Sequence, residues 1–229
     1  MNKQADTVPA HIGYIMDGNR RWAKGHGLPT YEGHLAGYNR VKDITRASVD
    51  AGVKYISFYA FSTENWDRTE KEISYLMKLM LRMFTSDLDE VLGENVRIIV
   101  AGTDDRLDKK IIQAARNAEE KTANNTRATV LLCFNYGGQK EIVEAVKKLI
   151  ASGDEVSEEN ISKNLYAPDV PPCDIIVRTS GEQRLSNFML WRAAYSELLF
   201  VDKDWPDMDA DDVKNIIKEY SQRGRRYGA

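Results

Sequence analysis

The sequence predicts an α/β fold: one domain on a central, mainly parallel six-stranded sheet flanked by helices. Three observations predict it. Six apolar or β-branched runs alternate with stretches of helical three-to-four spacing. Polar clusters stand directly after several of those runs. No interior Pro, Gly and Ser-rich linker divides the 229 residues. The strand-like runs are 12–17, 53–61, 96–101, 128–135, 174–178 and 198–201, and helical spacing appears near 34–51, 71–92, 106–123, 139–152, 186–195 and 210–222. A helix between strands returns the chain to the same edge, so repeated strand-helix order implies parallel strands covered on both faces. Residues 1–10 are expected to be flexible.

Composition narrows the function. Hydrophobic residues make up 42% and charged residues 29% of the chain, the balance of a soluble globular protein. The start MNKQADTVPA has no apolar leader segment, and no later run approaches the roughly 18 apolar residues that span a bilayer. A cytoplasmic protein is expected. Cys133 and Cys173 lie in or beside apolar runs without metal-type spacing, as core residues do. A net charge of -3 gives no bulk attraction to nucleic acid, so anion binding has to come from local clusters.

Four such clusters follow strands: Asp17-Gly18-Asn19-Arg20-Arg21-Trp22, Ser62-Thr63-Glu64-Asn65-Trp66-Asp67-Arg68, Asn135-Tyr136-Gly137-Gly138, and Arg178 through Ser186. Asp-Gly-Asn by itself is also an ordinary turn. In a parallel sheet, however, all four clusters share the carboxyl edge, where ligands bind. That edge would carry arginines and hydroxyls suited to phosphate oxygens, and carboxylates suited to magnesium. No Walker or GxGxxG motif is present, so a diphosphate fits better than a nucleotide.

HIGYIMDGNRRWAK, GH at 33–34, YAFSTENWDR at 59–68, NYGG at 135–138, RTSGEQRLSNFMLW at 178–191 and YSEL at 195–198 closely resemble the cis-prenyltransferases, typified by undecaprenyl diphosphate synthase. The likeness runs from His11 to the C-terminal RGRRYG, making residues 1–229 one domain of that family. It implies an enzyme that condenses isopentenyl diphosphate with an allylic diphosphate such as farnesyl diphosphate, forming a Z double bond at each addition. The product it points to is undecaprenyl diphosphate, a lipid carrier precursor for cell-wall glycans. The alternatives are a shorter-chain synthase and a non-catalytic partner subunit, the latter disfavoured because Asp17 and Asn65 are both present.

By the same resemblance, Asp17 holds Mg2+ against the allylic diphosphate and Glu197 completes the metal site. Gly18, Asn19, Arg20, Arg21 and His34 line the diphosphate pocket, with Trp22 beside it. Asn65 positions the groups for condensation, surrounded by Ser62, Thr63, Glu64, Trp66 and Arg68. Arg178, Arg184 and Ser186 grip isopentenyl diphosphate. A homodimer, a C-terminal segment near its interface and a peripheral membrane contact for product release are also implied. The helix around Met77, Met80 and Met83 would wall a hydrophobic tunnel for the product, although its periodicity equally describes a core helix. Thr30 and Gln183 depart from the family pattern, standing where many relatives have Arg and some have His.

One competing motif is Asp104-Asp105-Arg106-Leu107-Asp108, the DDxxD of all-helical trans-prenyltransferases. Strand-helix alternation argues against that fold, and Thr103 to Asp105 are expected to cap a helix starting near Arg106. The run of aspartates from Asp202 to Asp212 reads as a solvated face.

Overall fold

The computed structural model describes residues 7–223. Strands β1 (His11–Ile15), β2 (Tyr55–Ser62), β3 (Val96–Ala101), β4 (Ala128–Tyr136), β5 (Ile175–Arg178) and β6 (Glu197–Phe200) form one sheet in the order β3-β4-β2-β1-β5-β6. Every pairing is parallel, so the expectation of a mainly parallel six-stranded sheet holds and is exceeded. Tyr14 lies level with Phe58 on one side and Val177 on the other.

The helices are α1 (Asn19–Gly25), α2 (Thr30–Asp50), α3 (Glu70–Phe84), α4 (Leu88–Gly93), α5 (Lys109–Thr122), α6 (Gly138–Ser152), α7 (Glu158–Asn164) and α8 (Ala210–Gln222). Side chains alternate across a strand. Ile12, Tyr14, Ile56 and Phe58 therefore meet α2, α3 and α8 in one core, while Ile15, Cys133 and Ile176 pack against Ala167, Val170 and Phe188 on the other face. Both cysteines are buried and free, as expected of core residues. Among the described residues no helix is long and apolar enough to cross a membrane.

Several expectations need correction. The chain from 186 to 195 is a series of turns: Ser186, Asn187 and Met189 take left-handed backbone angles (φ 47°, 66° and 46°), which break a helix. Asp108 caps α5, which starts at Lys109, because Arg106 also has positive φ (63°). Asp104 and Asp105 pair instead with Arg116 and Lys140. The single helical stretch expected over 71–92 is two helices, α3 and α4. Ala10 is tied down, its N–H donating to Asp174 Oδ2 and its carbonyl accepting from Lys54 and Tyr55. Residues 1–6 of the stretch expected to be flexible lie outside the described residues. The aspartates before α8 are not one solvated face: Asp209 caps the helix, Asp204 binds Ser180 and Asp207 binds Trp22.

Two glycines set how closely α1 lies on α2. A Cβ on Gly33 would stand 2.0 Å from the Asn19 carbonyl oxygen, and one on Gly37 would stand 2.2 Å from Asn19 Oδ1. Gly33→Ala should therefore destabilise the fold by about 1–3 kcal/mol through overpacking. Gly25→Ala, with no atom within 4 Å of its Cβ, should change stability by less than about 0.5 kcal/mol. Equal urea midpoints for the two variants would refute the close-approach account.

His11 supplies a pH prediction. It is fully buried between the Pro171 carbonyl (2.9 Å from Nδ1) and Ser57 Oγ (2.7 Å from Nε2), and burial lowers its pKa from 6.5 to about 4. Between those values the unfolded chain binds a proton that the folded chain does not. Stability contributed by neutral His11 is complete above pH 6.5 and declines as pH falls towards 4, by up to about 1.4 kcal/mol per pH unit. Urea unfolding across that window should show a shallower slope in His11→Gln; identical slopes would remove His11 as the cause.

Candidate active site

The cleft at the carboxyl edge is built around Asp17. Its backbone is fixed first: its N–H donates to Thr179 Oγ1 (2.9 Å), and its carbonyl accepts from Thr179 Oγ1 (2.6 Å) and the Trp205 N–H (3.0 Å). The carboxylate accepts the Gly18 N–H (2.8 Å) at Oδ1 and Arg178 Nη2 (2.9 Å) at Oδ2, with Arg21 Nη2 3.5 Å from Oδ1. Partial burial opposes its charge, but the Arg178 hydrogen bond, the Gly18 N–H and the two arginine charges outweigh that, leaving its pKa below the ordinary range. Asp17 stays anionic at neutral pH. Gly18 turns the chain into α1 with φ 103°, and a Cβ there would sit 2.3 Å from Asp204 Oδ1.

Arg178 uses its fork three ways. Nη1 donates to the Arg184 carbonyl (2.6 Å) and Ser186 Oγ (2.7 Å), Nη2 donates to Asp17, and buried Nε has no partner. Ser62 and Asn65 cap each other reciprocally, the Ser62 N–H donating to Asn65 Oδ1 (3.1 Å). Asn65 is thereby held at the cleft wall.

Two polar cavities, of about 790 and 520 Å³, meet here. Both are lined by Met16, Asp17, Tyr59, Asn65 and Arg68. The larger adds Gly18, Asn19, Arg20, Arg21, Thr30 and His34; the smaller adds Ser62, Glu64, Arg178 and Ser186. Below the larger cavity an apolar passage continues past Leu76, Leu79, Met80 and Met83, with Met77 off its lining.

Several expected residues lie elsewhere. Trp22 Nε1 donates to Asp207 Oδ1 (2.6 Å), and Trp66 Nε1 donates to Asn135 Oδ1 (2.7 Å) beneath the Arg106 guanidinium; neither lines a cavity. Thr63 hydrogen-bonds Glu64 (3.1 Å), and exposed Arg184 pairs with Glu182 outside both linings. Gln183 is exposed.

Glu197 lies apart from Asp17 within this chain. It pairs with Ile175 at the amino end of its strand, whereas Asp17 follows the carboxyl end of β1, whose Ile15 is level with Arg178. Parallel register thus separates them by roughly 15 Å along the strands. The Glu197 carboxylate instead accepts from Arg223 Nη1 (3.1 Å). Among the described residues no three His, Cys, Asp or Glu side chains cluster as a metal site. The rest of RGRRYG, from residue 224, lies outside the described residues.

Two residues were missed. Glu72 Oε1 accepts from His34 Nε2 and from Arg68 Nη1, both at 3.0 Å, joining the first and second clusters. Burial lowers the His34 pKa despite Glu72, so the ring is neutral near pH 7 and donates Nε2–H. Lys24 also lines the larger cavity, one helical turn after Arg20. The four-residue spacings Arg68–Glu72 and Arg20–Lys24 were the available signals.

The Prenyltransf (undecaprenyl diphosphate synthase) family matches residues 15–228. A ditrans,polycis-undecaprenyl-diphosphate synthase ((2E,6E)-farnesyl-diphosphate specific) of Micrococcus luteus is 43% identical, covering 99% of this chain and 94% of its own. An isoprenyl transferase of Staphylococcus haemolyticus is 41% identical, covering 96% and 89%. The crystal structure of lavandulyl diphosphate synthase from Lavandula x intermedia, in complex with dimethylallyl diphosphate, superposes with a TM-score of 0.93 at 30% identity, covering 97% and 99%. With that fold and this cleft, the chain belongs to the undecaprenyl diphosphate synthase family of prenyltransferases.

Proposed function

We propose that the chain is a magnesium-dependent cis-prenyltransferase that extends an allylic diphosphate, farnesyl diphosphate by preference, with isopentenyl diphosphate to make undecaprenyl diphosphate. The observation that carries this reading is the pair of polar cavities sharing a wall of Asp17, Asn65 and Arg68, only one of which leads into an apolar passage. Two diphosphates placed there would be neighbours, with one tail directed inward. The larger cavity supports the allylic substrate, held through Asn19, Arg20, Arg21 and Lys24. The smaller supports isopentenyl diphosphate, held through Arg178 and Ser186. Family likeness in sequence and structure supports the same assignment.

A magnesium ion fits Asp17. The carboxylate is ionised and partly exposed, and magnesium accepts few protein ligands when substrate phosphates supply the others. Bound there, the ion would stabilise charge on the departing diphosphate. Arg20, Arg21 and Lys24, which line the larger cavity, would share that charge. Neutral His34, anchored by Glu72, would shape the wall where the prenyl tail enters. Asn65, its oxygen occupied by the cap, keeps its amide N–H groups for a diphosphate oxygen, and that oxygen can take the proton lost in condensation.

A homodimer is part of this proposal, supported by exposed Tyr195 and Leu198 at the edge strand β6. A cytoplasmic enzyme touching the membrane only to release product fits the lack of a spanning helix among the described residues. Use of that product as a carrier precursor for cell-wall glycans belongs to the same proposal. A shorter product is the second reading, favoured by the small internal voids of the passage, about 60 Å³ where it begins.

Purified protein incubated with magnesium, farnesyl diphosphate and labelled isopentenyl diphosphate should give a product ladder ending at eleven isoprene units. A ladder ending after one or two additions would establish the shorter-chain reading, and no incorporation would refute both. Asp17→Ala should lower kcat/KM by about 10³-fold or more, since it removes a charge contact used in the transition state and leaves buried Arg178 unpaired. Near-normal turnover would exclude Asp17 from the chemistry.

A further inference from the structure

Two motifs of the sequence line neither cavity of the cleft: Asn135-Tyr136-Gly137-Gly138 and Asp104-Asp105-Arg106. The structure brings both onto one side chain, Trp66. Asn135 is the centre of that junction. Where β2 pairs with β4, Tyr59 and Phe61 stand level with the consecutive Cys133 and Phe134, which leaves Ala60 without a partner. Phe61 and Ser62 then stand level with Phe134 and Tyr136, which leaves Asn135 without one. The register slips at Ala60 and is recovered at Asn135, level with the start of the second cluster at Ser62. Such bulges re-aim the side chains beside them. Asn135 takes a positive φ of 51°, a conformation that asparagine tolerates better than most side chains.

Asn135 is buried, and its side chain is used at both ends. Nδ2 donates to the Thr103 carbonyl (2.8 Å) and the Asp105 carbonyl (2.7 Å), while Oδ1 accepts the Trp66 indole N–H (2.7 Å). Its backbone carbonyl accepts the Thr103 N–H (3.2 Å). The Arg106 guanidinium lies 4.4 Å from the Trp66 ring centre, and the Phe61 ring meets the indole edge-on at 5.2 Å. The indole is thus held on three sides. An amide is required at position 135, because aspartate would leave two carbonyls unpaired and leucine would leave the indole N–H unpaired as well. Trp66 directly follows Asn65 inside the short turn Thr63–Asp67. Fixing the indole fixes that turn, and the turn carries Asn65 into the wall shared by both cavities. From the other side the Ser62 N–H holds Asn65 Oδ1.

We propose that Asn135 is a positioning residue for the condensation: through the Trp66 N–H it sets the direction in which the Asn65 amide meets a diphosphate. The proposal rests on the reading of Asn65 as a diphosphate contact. Asn135 acts without touching substrate, and the Thr103–Arg106 segment serves as the backing against which it is held.

The test is a kinetic cycle on the full chain with magnesium, farnesyl diphosphate and labelled isopentenyl diphosphate. Asn135→Gly tolerates the backbone angle and removes every side-chain bond, whereas Trp66→Phe keeps a ring in place and removes the N–H. Each should lower kcat by about tenfold or more, with KM for isopentenyl diphosphate within about threefold, since orientation is lost and ground-state binding is kept. In an Asn65→Ala background the same substitutions should lower kcat by less than about twofold, because the group they orient is gone. An equal loss in both backgrounds marks a structural role only and overturns the proposal. Unchanged kcat in Trp66→Phe overturns it too, and that variant decides the matter where Asn135→Gly fails to fold. Absence of turnover in the unsubstituted chain with every allylic primer is a separate result, which overturns the reading of the cleft and this proposal with it.

Discussion

The hydrogen-bonded ion pair between Asp17 and Arg178 is the constraint on which the site depends. It joins the ends of two adjacent strands, β1 and β5, at the point where both chains leave the sheet. Arg178 is nearly buried, and a buried guanidinium without a carboxylate is strongly destabilising, so the pair cannot be dissolved cheaply. Its geometry is copied into the next residues: the same fork fixes the Arg184 carbonyl and the Ser186 hydroxyl, and Thr179 clamps the Asp17 backbone from both sides. The smaller cavity is shaped by one side chain as much as by the sheet. The unpartnered Nε leaves Arg178 a donor that no described side chain uses.

Holding Ser186 there needs support from below. The left-handed run at Ser186, Asn187 and Met189 is unfavourable locally and persists only where surrounding bonds over-determine it. Those bonds are present. Asn187 donates to Glu64 (2.9 Å), its side-chain oxygen accepts from the Gln139 N–H (2.8 Å), and its carbonyl accepts from the Gly138 N–H (2.7 Å). One asparagine thus ties the second, third and fourth clusters together. Beneath it, buried Arg192 pairs with buried Glu141 at 2.8 Å and donates to the Ala167 carbonyl at 2.6 Å, while Glu141 also accepts from Tyr136 and from the Tyr166 N–H. A fully satisfied buried network of this kind fixes one arrangement of the turns.

Periodicity made the sheet and its direction legible, because fully buried parallel strands leave continuous apolar runs such as VLLCF and DIIVR. Motif resemblance then located the cluster around Asp17, and the residues Asn19, Arg20, Arg21, His34, Asn65, Arg178 and Ser186 do converge on the paired cavities. What stayed hidden was governed by register and local backbone. Glu197, a metal ligand by resemblance, begins β6 level with Ile175, so within this chain its carboxylate stands at the opposite edge of the sheet from Asp17. The failed helix at 186–195 had good apolar spacing and was overruled by left-handed residues held through tertiary bonds. Trp22 and Trp66 stood inside the right motifs, yet each indole N–H is bound to a residue distant in sequence, Asp207 or Asn135, and so faces away from the cleft.

Electrostatic asymmetry along α2 links the two ends of the molecule. Its first turns contribute Thr30 and His34 to the cleft and its later turns pair Lys42 with Asp87 and Glu90, Arg46 with Glu94 and Asp50 with Arg127, with Gly33 and Gly37 admitting α1 and Val41 and Ile44 packing on the sheet. A rigid helix spanning both sites converts a change at one end into displacement at the other, since packed cores shift as units more readily than they deform. Close packing of α1 on Gly33 and Gly37 pins the upper end of α2 beside Asn19, while the lower end is held by buried Ile44, Ser48 and Val49 together with its ion pairs, so the helix is anchored to the sheet along its whole length.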